Sequence, residues 1–255
     1  MLYCYSNLWK KVILMKVNVF KTAEEIGEAV ARIFVDEVKS NPICVLGLAT
    51  GATPIPTYES IKKMHNEENV SFKGVKTYNL DEYCDLPKSD KNSYYTFMHE
   101  QLFNGLDILE ENVHFLDGNA VDCEAECKRY DNEINEAGGI DIQLLGIGNN
   151  AHIGFNEPAE SFTDGSFKVK LTDSTIEANK IYFDENPMPH YALTMGVKQI
   201  MAAKKIILIA TGPKKAEAIK NMIKGEVTPL VPASVLQEHD DVLIFLDEAA
   251  ASLLD

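Results

Sequence analysis

Residues 43–65 read ICVLGLATGATPIPTYESIKKMH. An apolar run, Ile43 to Leu48, gives way to small and hydroxylated residues, and Pro56 to His65 then has helical character. A strand that is apolar throughout is buried on both faces, and a strand leading into a helix is half of a parallel crossover. The same rhythm extends in both directions. Val17 to Phe20, Val75 to Asn79, Val113 to Leu116, Ile140 to Ile147, Lys205 to Ala210 and Val242 to Asp247 read as further strands. Thr22-Ala-Glu-Glu25 is a capping box opening a helix through about Lys39, with Ile26, Val30, Ile33, Phe34 and Val38 in one apolar stripe. Further helices are expected at Tyr94 to Phe103, Asp122 to Glu136, Pro213 to Ile223 and Glu248 to Leu254. The expected fold class is α/β, an open, mainly parallel, Rossmann-like sheet with helices on both faces. Glu157 to Pro189 is the least regular segment and reads as a lid or an inserted excursion.

The chain has 255 residues, 45% hydrophobic and 25% charged, with 24 Lys plus Arg against 39 Asp plus Glu and a formal charge of −15. That length and composition fit one large α/β domain and exclude intrinsic disorder as the main description. The acidic balance is spread along the chain, which argues against nucleic acid or an anionic membrane as partner. Arg32 and Arg129 are the only arginines, so a phosphate site has to lean on lysines and backbone amides. Cys4, Cys44, Cys84, Cys123 and Cys127 show neither a disulfide framework nor a zinc pattern, which suits reduced thiols in a cytoplasmic protein. Leu8 to Met15 is apolar, but Lys10 and Lys11 split it and it falls short of the ~20 residues of a membrane span. The expected organisation is an N-terminal extension of residues 1–14 and a single domain of residues 15–255.

In an open parallel sheet ligands bind beyond the carboxyl ends of strands, so the loops there are the places to search. Gly47-Leu-Ala-Thr-Gly-Ala-Thr-Pro54 leads into a helix and lets backbone amides approach an anion, with Thr50 and Thr53 as extra donors; a plain tight turn is the alternative. Asn79-Leu-Asp-Glu-Tyr83 sets Asp81 and Glu82 just past a buried strand. A partly desolvated carboxylate there serves as a base, whereas the plainer reading has Asp81 capping a turn and Glu82 solvated. Gly146 to Pro158 carries His152 five residues before Glu157, with Asn150 and Asn156 alongside. A titratable imidazole beside an orienting carboxylate suits proton transfer, against the alternative of a structural histidine. One His and one Glu without a second His or Cys make a poor zinc site, so no metal is expected.

Together these loops resemble the glucosamine-6-phosphate deaminase (isomerase) family. The resemblance runs from about Met15 to Asp255 through LGLATGATP, NLDEYCDLP, SYYTFM, LLGIGNNAHIGFNEP and PASVLQEHDDVLIFLDEAA. The related 6-phosphogluconolactonases share the fold, but an Asp-Gly-His-Thr-type sequence without Phe-Asn-Glu-Pro is expected in their third loop, so this chain is similar to the deaminases. The resemblance implies conversion of an amino-sugar 6-phosphate and water to a ketose 6-phosphate and ammonia, with no metal or organic cofactor. It gives His152 the ring-opening proton, Glu157 the orientation of its imidazole, and Asp81 the proton moved from C2 to C1. Asn150, Asp in some members, would fix the tautomer of His152 or bind the sugar. Thr50, Gly51, Ala52, Thr53 and Lys215 match the phosphate-binding residues.

The substrate-gripping set departs from the family in places. Ala178-Asn-Lys-Ile-Tyr-Phe183 stands where the family has Ala-Asn-Ser-Arg-Phe-Phe, so Ile181 replaces a phosphate-gripping arginine. Ala52 stands where Gly or Ser is usual and Ala151 where Gly is usual. Galactosamine 6-phosphate is therefore the alternative substrate, with lactone hydrolysis and a non-catalytic sugar-phosphate sensor behind it. The long C-terminal extension of the allosterically activated hexameric members is not matched, which implies a monomer or small homo-oligomer.

Overall fold

The computed structural model describes residues 15–172, 175–177, 180, 183 and 187–254. The expected N-terminal extension and Ile181 lie outside these residues. Seven strands, β1 (Lys16–Phe20), β2 (Val45–Leu48), β3 (Lys76–Asn79), β5 (Val113–His114), β6 (Ile142–Leu145), β9 (Lys205–Ala210) and β10 (Val242–Asp247), form one sheet in the order β1-β10-β9-β6-β2-β3-β5. Every neighbouring pair is parallel. The helices are α1 (Ala23–Ser40), α2 (Ile55–Glu68), α3 (Tyr94–Gln101), α4 (Cys123–Glu136), α5 (Val197–Met201) and α6 (Ala216–Lys224).

Why the strands read as unbroken apolar runs is visible along β9. Ile206, Leu208 and Ala210 pack into one core with α4, α5 and α6, while Ile207 and Ile209 pack into a second core with α1, α2 and α3. Successive side chains of a strand point to opposite faces, so a strand covered on both sides has no polar face. The α1 start follows its capping residues: Thr22 Oγ1 accepts from Glu25 N at 3.2 Å, and the Glu25 carboxylate reaches back to Lys21 N at 2.9 Å. Glu248 to Leu254 forms turns instead of the expected helix. Ala251 N bonds to Asp247 O and Leu254 N to Ala251 O, four- and three-residue closures that do not continue into a ladder.

A second sheet was not foreseen. β4 (Asp81–Tyr83), β8 (Tyr191–Thr194) and β7 (Phe167–Lys170) pair antiparallel in the order β4-β8-β7. Part of the segment read as a lid or excursion is thus a strand, whose Phe167 and Val169 alternate with exposed Lys168 and Lys170. Beneath this sheet Tyr83, Phe155, Leu171, Phe183, Met188 and Ala192 make a third apolar cluster.

The direction in which strands are added reverses between β2 and β6. β3 and β5 lie on one side of that seam, β9 and β10 on the other. Loops leaving the carboxyl ends of β2 and β6 therefore diverge and open a crevice.

Candidate active site

A cavity of about 510 Å³ occupies that crevice, lined from four adjacent strands. Ala49 to Gly51, Thr53 and Pro54 follow β2; Leu80 and Asp81 follow β3; Gly146 to Asn150, His152, Gly154 and Phe155 follow β6; Lys215 follows β9. Asp81, His152, Asn150, Thr50, Gly51, Thr53 and Lys215, singled out in the sequence, thus share one space. Ala52 is exposed and does not line it; its carbonyl accepts from Ile55 N and closes the turn into α2. Glu157 stands behind His152 and outside the lining.

The β2 loop is held from below. Tyr58 of α2 is buried, donates to Ala49 O and accepts from Ala49 N at 3.2 Å, fixing the chain where it leaves the strand. Gly51 has φ 107°, a conformation costly for any residue with a Cβ, and so presents Thr50 and Thr53 on a tight turn at the start of α2. Lys215 lines the same cavity, and burial, then Lys214, pushes its ammonium below the ordinary lysine value.

Asp81 sits where the two sheets join. Leu80 N bonds to Leu48 O of β2, Met195 N bonds to Leu80 O, and Asp81 then pairs with Thr194 in the small sheet. The side chain is 6% exposed, and burial with the neighbouring Glu82 charge raises its carboxyl to about 8. Glu82 is not solvated, as the plainer reading of the sequence had it. It is buried and accepts backbone N–H bonds from Tyr83, Tyr94 and Tyr95 at 2.8, 2.9 and 2.9 Å. It anchors the first turn of α3 and leaves Asp81 as the cavity's carboxyl. Asn156 also departs from its placement beside the chemistry. It is buried, donates to Ile153 O and Met195 O at 2.8 Å each, and accepts from Thr163 Oγ1 at 2.5 Å, so it ties the β6 loop to β8.

The β6 loop turns on itself to present His152. Gly148 N bonds to His152 O at 2.9 Å and Ala151 N to Gly148 O at 3.0 Å. His152 Nδ1 lies 3.3 Å from Glu157 Oε1, in ion-pair contact though outside hydrogen-bond geometry. Asn150 Nδ2 donates to Glu157 Oε2 at 2.5 Å, and Thr175 Oγ1 donates to Glu157 Oε1 at 2.9 Å. Burial alone would raise the Glu157 carboxyl, but the contacts with His152, Asn150 and Thr175 outweigh it and hold it at about 2. Glu157 is therefore a fixed anion facing the imidazole.

Two residues of this loop carry consequences for variants. A Cβ on Gly148 would lie 2.4 Å from the His152 ring, so Gly148→Ala displaces the imidazole. Misplacing a catalytic group by about 1 Å costs up to 10²-fold, so a kcat loss of at least tenfold is expected with thermal stability little changed. Wild-type turnover by this variant contradicts the placement. Ala151 has φ 65°, in the left-handed region. An L-residue there costs about 1 kcal/mol, so Ala151→Gly is expected to stabilise the protein by up to that amount in urea unfolding. An unchanged or lower midpoint counts against strain at this position.

Sequence reading missed Tyr94, Phe155 and Thr175, which complete the wall. Tyr94 donates to Tyr83 Oη at 3.1 Å, and its ring stacks on Phe155 at 6.4 Å. The SYYTFM stretch carried a signal for Tyr94, since Ser93 caps α3 beside it. Thr175 stands in irregular sequence with no motif around it. Among the described residues no group of three or more His, Cys, Asp or Glu side chains is arranged to hold a metal, and no helix is long and apolar enough to cross a membrane.

Residues 19–245 match the family model for glucosamine-6-phosphate isomerases/6-phosphogluconolactonase. A glucosamine-6-phosphate deaminase of Clostridium botulinum (strain Alaska E43 / Type E3) is 49% identical over 94% of this chain and 97% of its own. One from Thermoanaerobacter sp. (strain X514) is 48% identical over 94% of this chain and 95% of its own. The solved structure of a monomeric glucosamine-6-phosphate deaminase superposes with a TM-score of 0.90 at 44% identity, covering 94% of this chain and all of that one. The 6-phosphogluconolactonase of Trypanosoma brucei, at 20% identity and a TM-score of 0.72, shares the fold. With its sheet order, its crevice and these similarities in agreement, the chain belongs to the glucosamine-6-phosphate isomerase/6-phosphogluconolactonase family.

Proposed function

We propose that the chain is a glucosamine-6-phosphate deaminase, converting glucosamine 6-phosphate and water to fructose 6-phosphate and ammonia. The observation that carries this reading is one cavity holding a buried carboxyl, Asp81, and an imidazole backed by a fixed anion, His152 with Glu157, together with a hydroxyl-lined turn and a lysine. Two proton-transfer groups and an anion grip in one cavity suit a phosphorylated sugar. The 49% identity to a deaminase supports that chemistry over lactone hydrolysis, and the proton-transfer pair supports an enzyme over a sensor.

The phosphate binds at Thr50, Gly51, Thr53 and Lys215, where backbone amides at a helix start and an ammonium complement its charge. This seats the sugar ring toward His152. The imidazole takes the proton of the C1 hydroxyl and returns it to the ring oxygen as the C1–O bond to that oxygen breaks, leaving an open-chain aldehyde. Glu157 offsets the charge on the ring between those two events and fixes which nitrogen faces the sugar. Asp81 then removes the C2 proton, giving an enolamine, and delivers it to the adjacent C1. The resulting C2 iminium adds water and releases ammonia, leaving the ketone. One carboxyl serves two neighbouring carbons on the same face, so proximity supplies much of the rate.

The domain of residues 15–255 is read as acting in the cytoplasm as a monomer or small homo-oligomer, a reading that the monomeric structural neighbour supports. The test is ammonia release from glucosamine 6-phosphate and galactosamine 6-phosphate side by side. A higher kcat/KM for the glucosamine compound is expected. Preference for the galactosamine compound overturns the substrate, and release from neither overturns the activity.

A further inference from the structure

We propose that Thr175 is a positioning residue for ring opening, acting on His152 through Glu157; this rests on the deaminase reading above. The Thr175 side chain belongs to the segment between β7 and β8, far in sequence from the β6 loop, yet it is buried at 6% exposure and lines the cavity. Its hydroxyl donates to Glu157 Oε1 at 2.9 Å, the same oxygen that lies 3.3 Å from His152 Nδ1. Asn150 occupies the other oxygen at 2.5 Å. The plane of the carboxylate is therefore set from both ends, and Thr175 sets the end that the imidazole reads.

Thr175 is in turn fixed by Thr172. The Thr175 amide donates to Thr172 Oγ1 at 3.3 Å, and the Thr172 hydroxyl donates to Thr175 Oγ1 at 3.0 Å. Thr172 Oγ1 lies 3.5 Å from Glu157 Oε1, farther than from Thr175 Oγ1, so its one proton is better placed on Thr175 and that of Thr175 on Glu157. Hydroxyl to hydroxyl to carboxylate is a polarised chain ending at Oε1. Without the Thr175 hydroxyl, Oε1 keeps only the longer Thr172 contact at 3.5 Å, and the carboxylate that orients the ring is held less firmly during proton transfer.

The experiment isolates ring opening from the later steps. In an Asp81→Asn background glucosamine 6-phosphate is opened and reclosed but consumed only on the order of 10³-fold more slowly, so enzyme-catalysed exchange between its α and β anomers is measurable by NMR saturation transfer. Adding Thr175→Val is expected to slow this exchange roughly tenfold, the scale of one hydrogen bond to a charged group. The Kd for the sugar phosphate, by calorimetry on the same protein, is expected to stay within about twofold, since that bond is not made to the sugar. Thr175→Ser restores the exchange. If Thr175→Val does not fold, Thr172→Val removes the bond that fixes Thr175 together with the 3.5 Å contact to Glu157, with a smaller slowing. Exchange that is unaffected by either valine, or that falls only in proportion to lost binding, overturns the role of Thr175. Absence of exchange in Asp81→Asn itself overturns the assignment of ring opening to His152, and this proposal with it.

Discussion

Exchange of Asp81 for Asn is expected to lower kcat by on the order of 10³-fold, the scale of a lost general base, and at the same time to stabilise the protein above pH 8. Both effects come from one property. The Asp81 carboxyl is raised to about 8 by burial and by Glu82, whereas an unfolded Asp titrates near 4. Between those values the folded chain keeps a proton that the unfolded chain has released, so stability falls as pH rises across that window and levels off above about 8. The loss is on the order of 5 kcal/mol at 1.36 kcal/mol per pH unit. Asn has the shape of the neutral acid and no proton to lose, so variant and wild type should match near pH 4 and diverge toward pH 8. The same carboxyl sets the acid limb of the wild-type rate. kcat/KM is expected to climb with pH up to about 8. Because the ammonium at C2 of bound substrate favours the carboxylate, the limb for kcat lies lower. Thermal unfolding and ammonia release across pH 5–9 check both. Turnover within tenfold of wild type removes Asp81 from the chemistry, and equal stability at pH 9 removes the cost of ionising it in the folded chain.

Much of the architecture was legible in the sequence because the physics behind it is periodic. Ile206 to Ala210 has no polar face since α-helices cover both sides of β9, and a pattern of that kind needs no knowledge of neighbours. Thr22 and Glu25 are as local, and the α1 start falls where they place it. The small antiparallel sheet was illegible for the opposite reason. β4 is three residues long, and its partner Tyr191–Thr194 lies more than a hundred residues away, so no local window contains the pairing. In the Gly47 to Pro54, Asn79 to Tyr83 and Gly146 to Pro158 loops, residue types gave the chemistry, and the sheet order explains why they meet, since β6, β2 and β3 are adjacent. What residue type could not give was direction. Asp81 and Glu82 are neighbours of the same class, yet one lines the cavity and the other is spent on backbone amides. Asn150 and Asn156 divide in the same way, one toward Glu157 and one toward the Met195 carbonyl.

Glu82 makes that division testable, because it shapes the site without touching the cavity. Glu82→Gln is expected to destabilise the protein by about 1 to 3 kcal/mol, since burial raises the Glu82 carboxyl and a neutral group offsets part of the lost bonding, and to move the acid limb of kcat/KM to lower pH. Oε1 accepts from the Tyr83 and Tyr94 amides and Oε2 from the Tyr95 amide. Glutamine has a single acceptor oxygen. Whichever way its amide faces, an NH₂ group confronts at least one of those donors in a site that is 4% exposed, where no water replaces the lost bond. A charge-assisted bond is lost, a buried N–H is orphaned, and the negative charge at the start of α3 disappears. The pH effect has a separate origin. The Glu82 charge is the second cause, after burial, of the raised Asp81 carboxyl, so a neutral residue there lets Asp81 ionise more readily. Urea unfolding and a kcat/KM profile on the same preparation read the two effects independently. A destabilisation below about 1 kcal/mol, less than one such bond, would show that the three amides do not depend on the carboxylate. An unmoved limb would assign the Asp81 shift to burial alone and leave Glu82 a purely structural group.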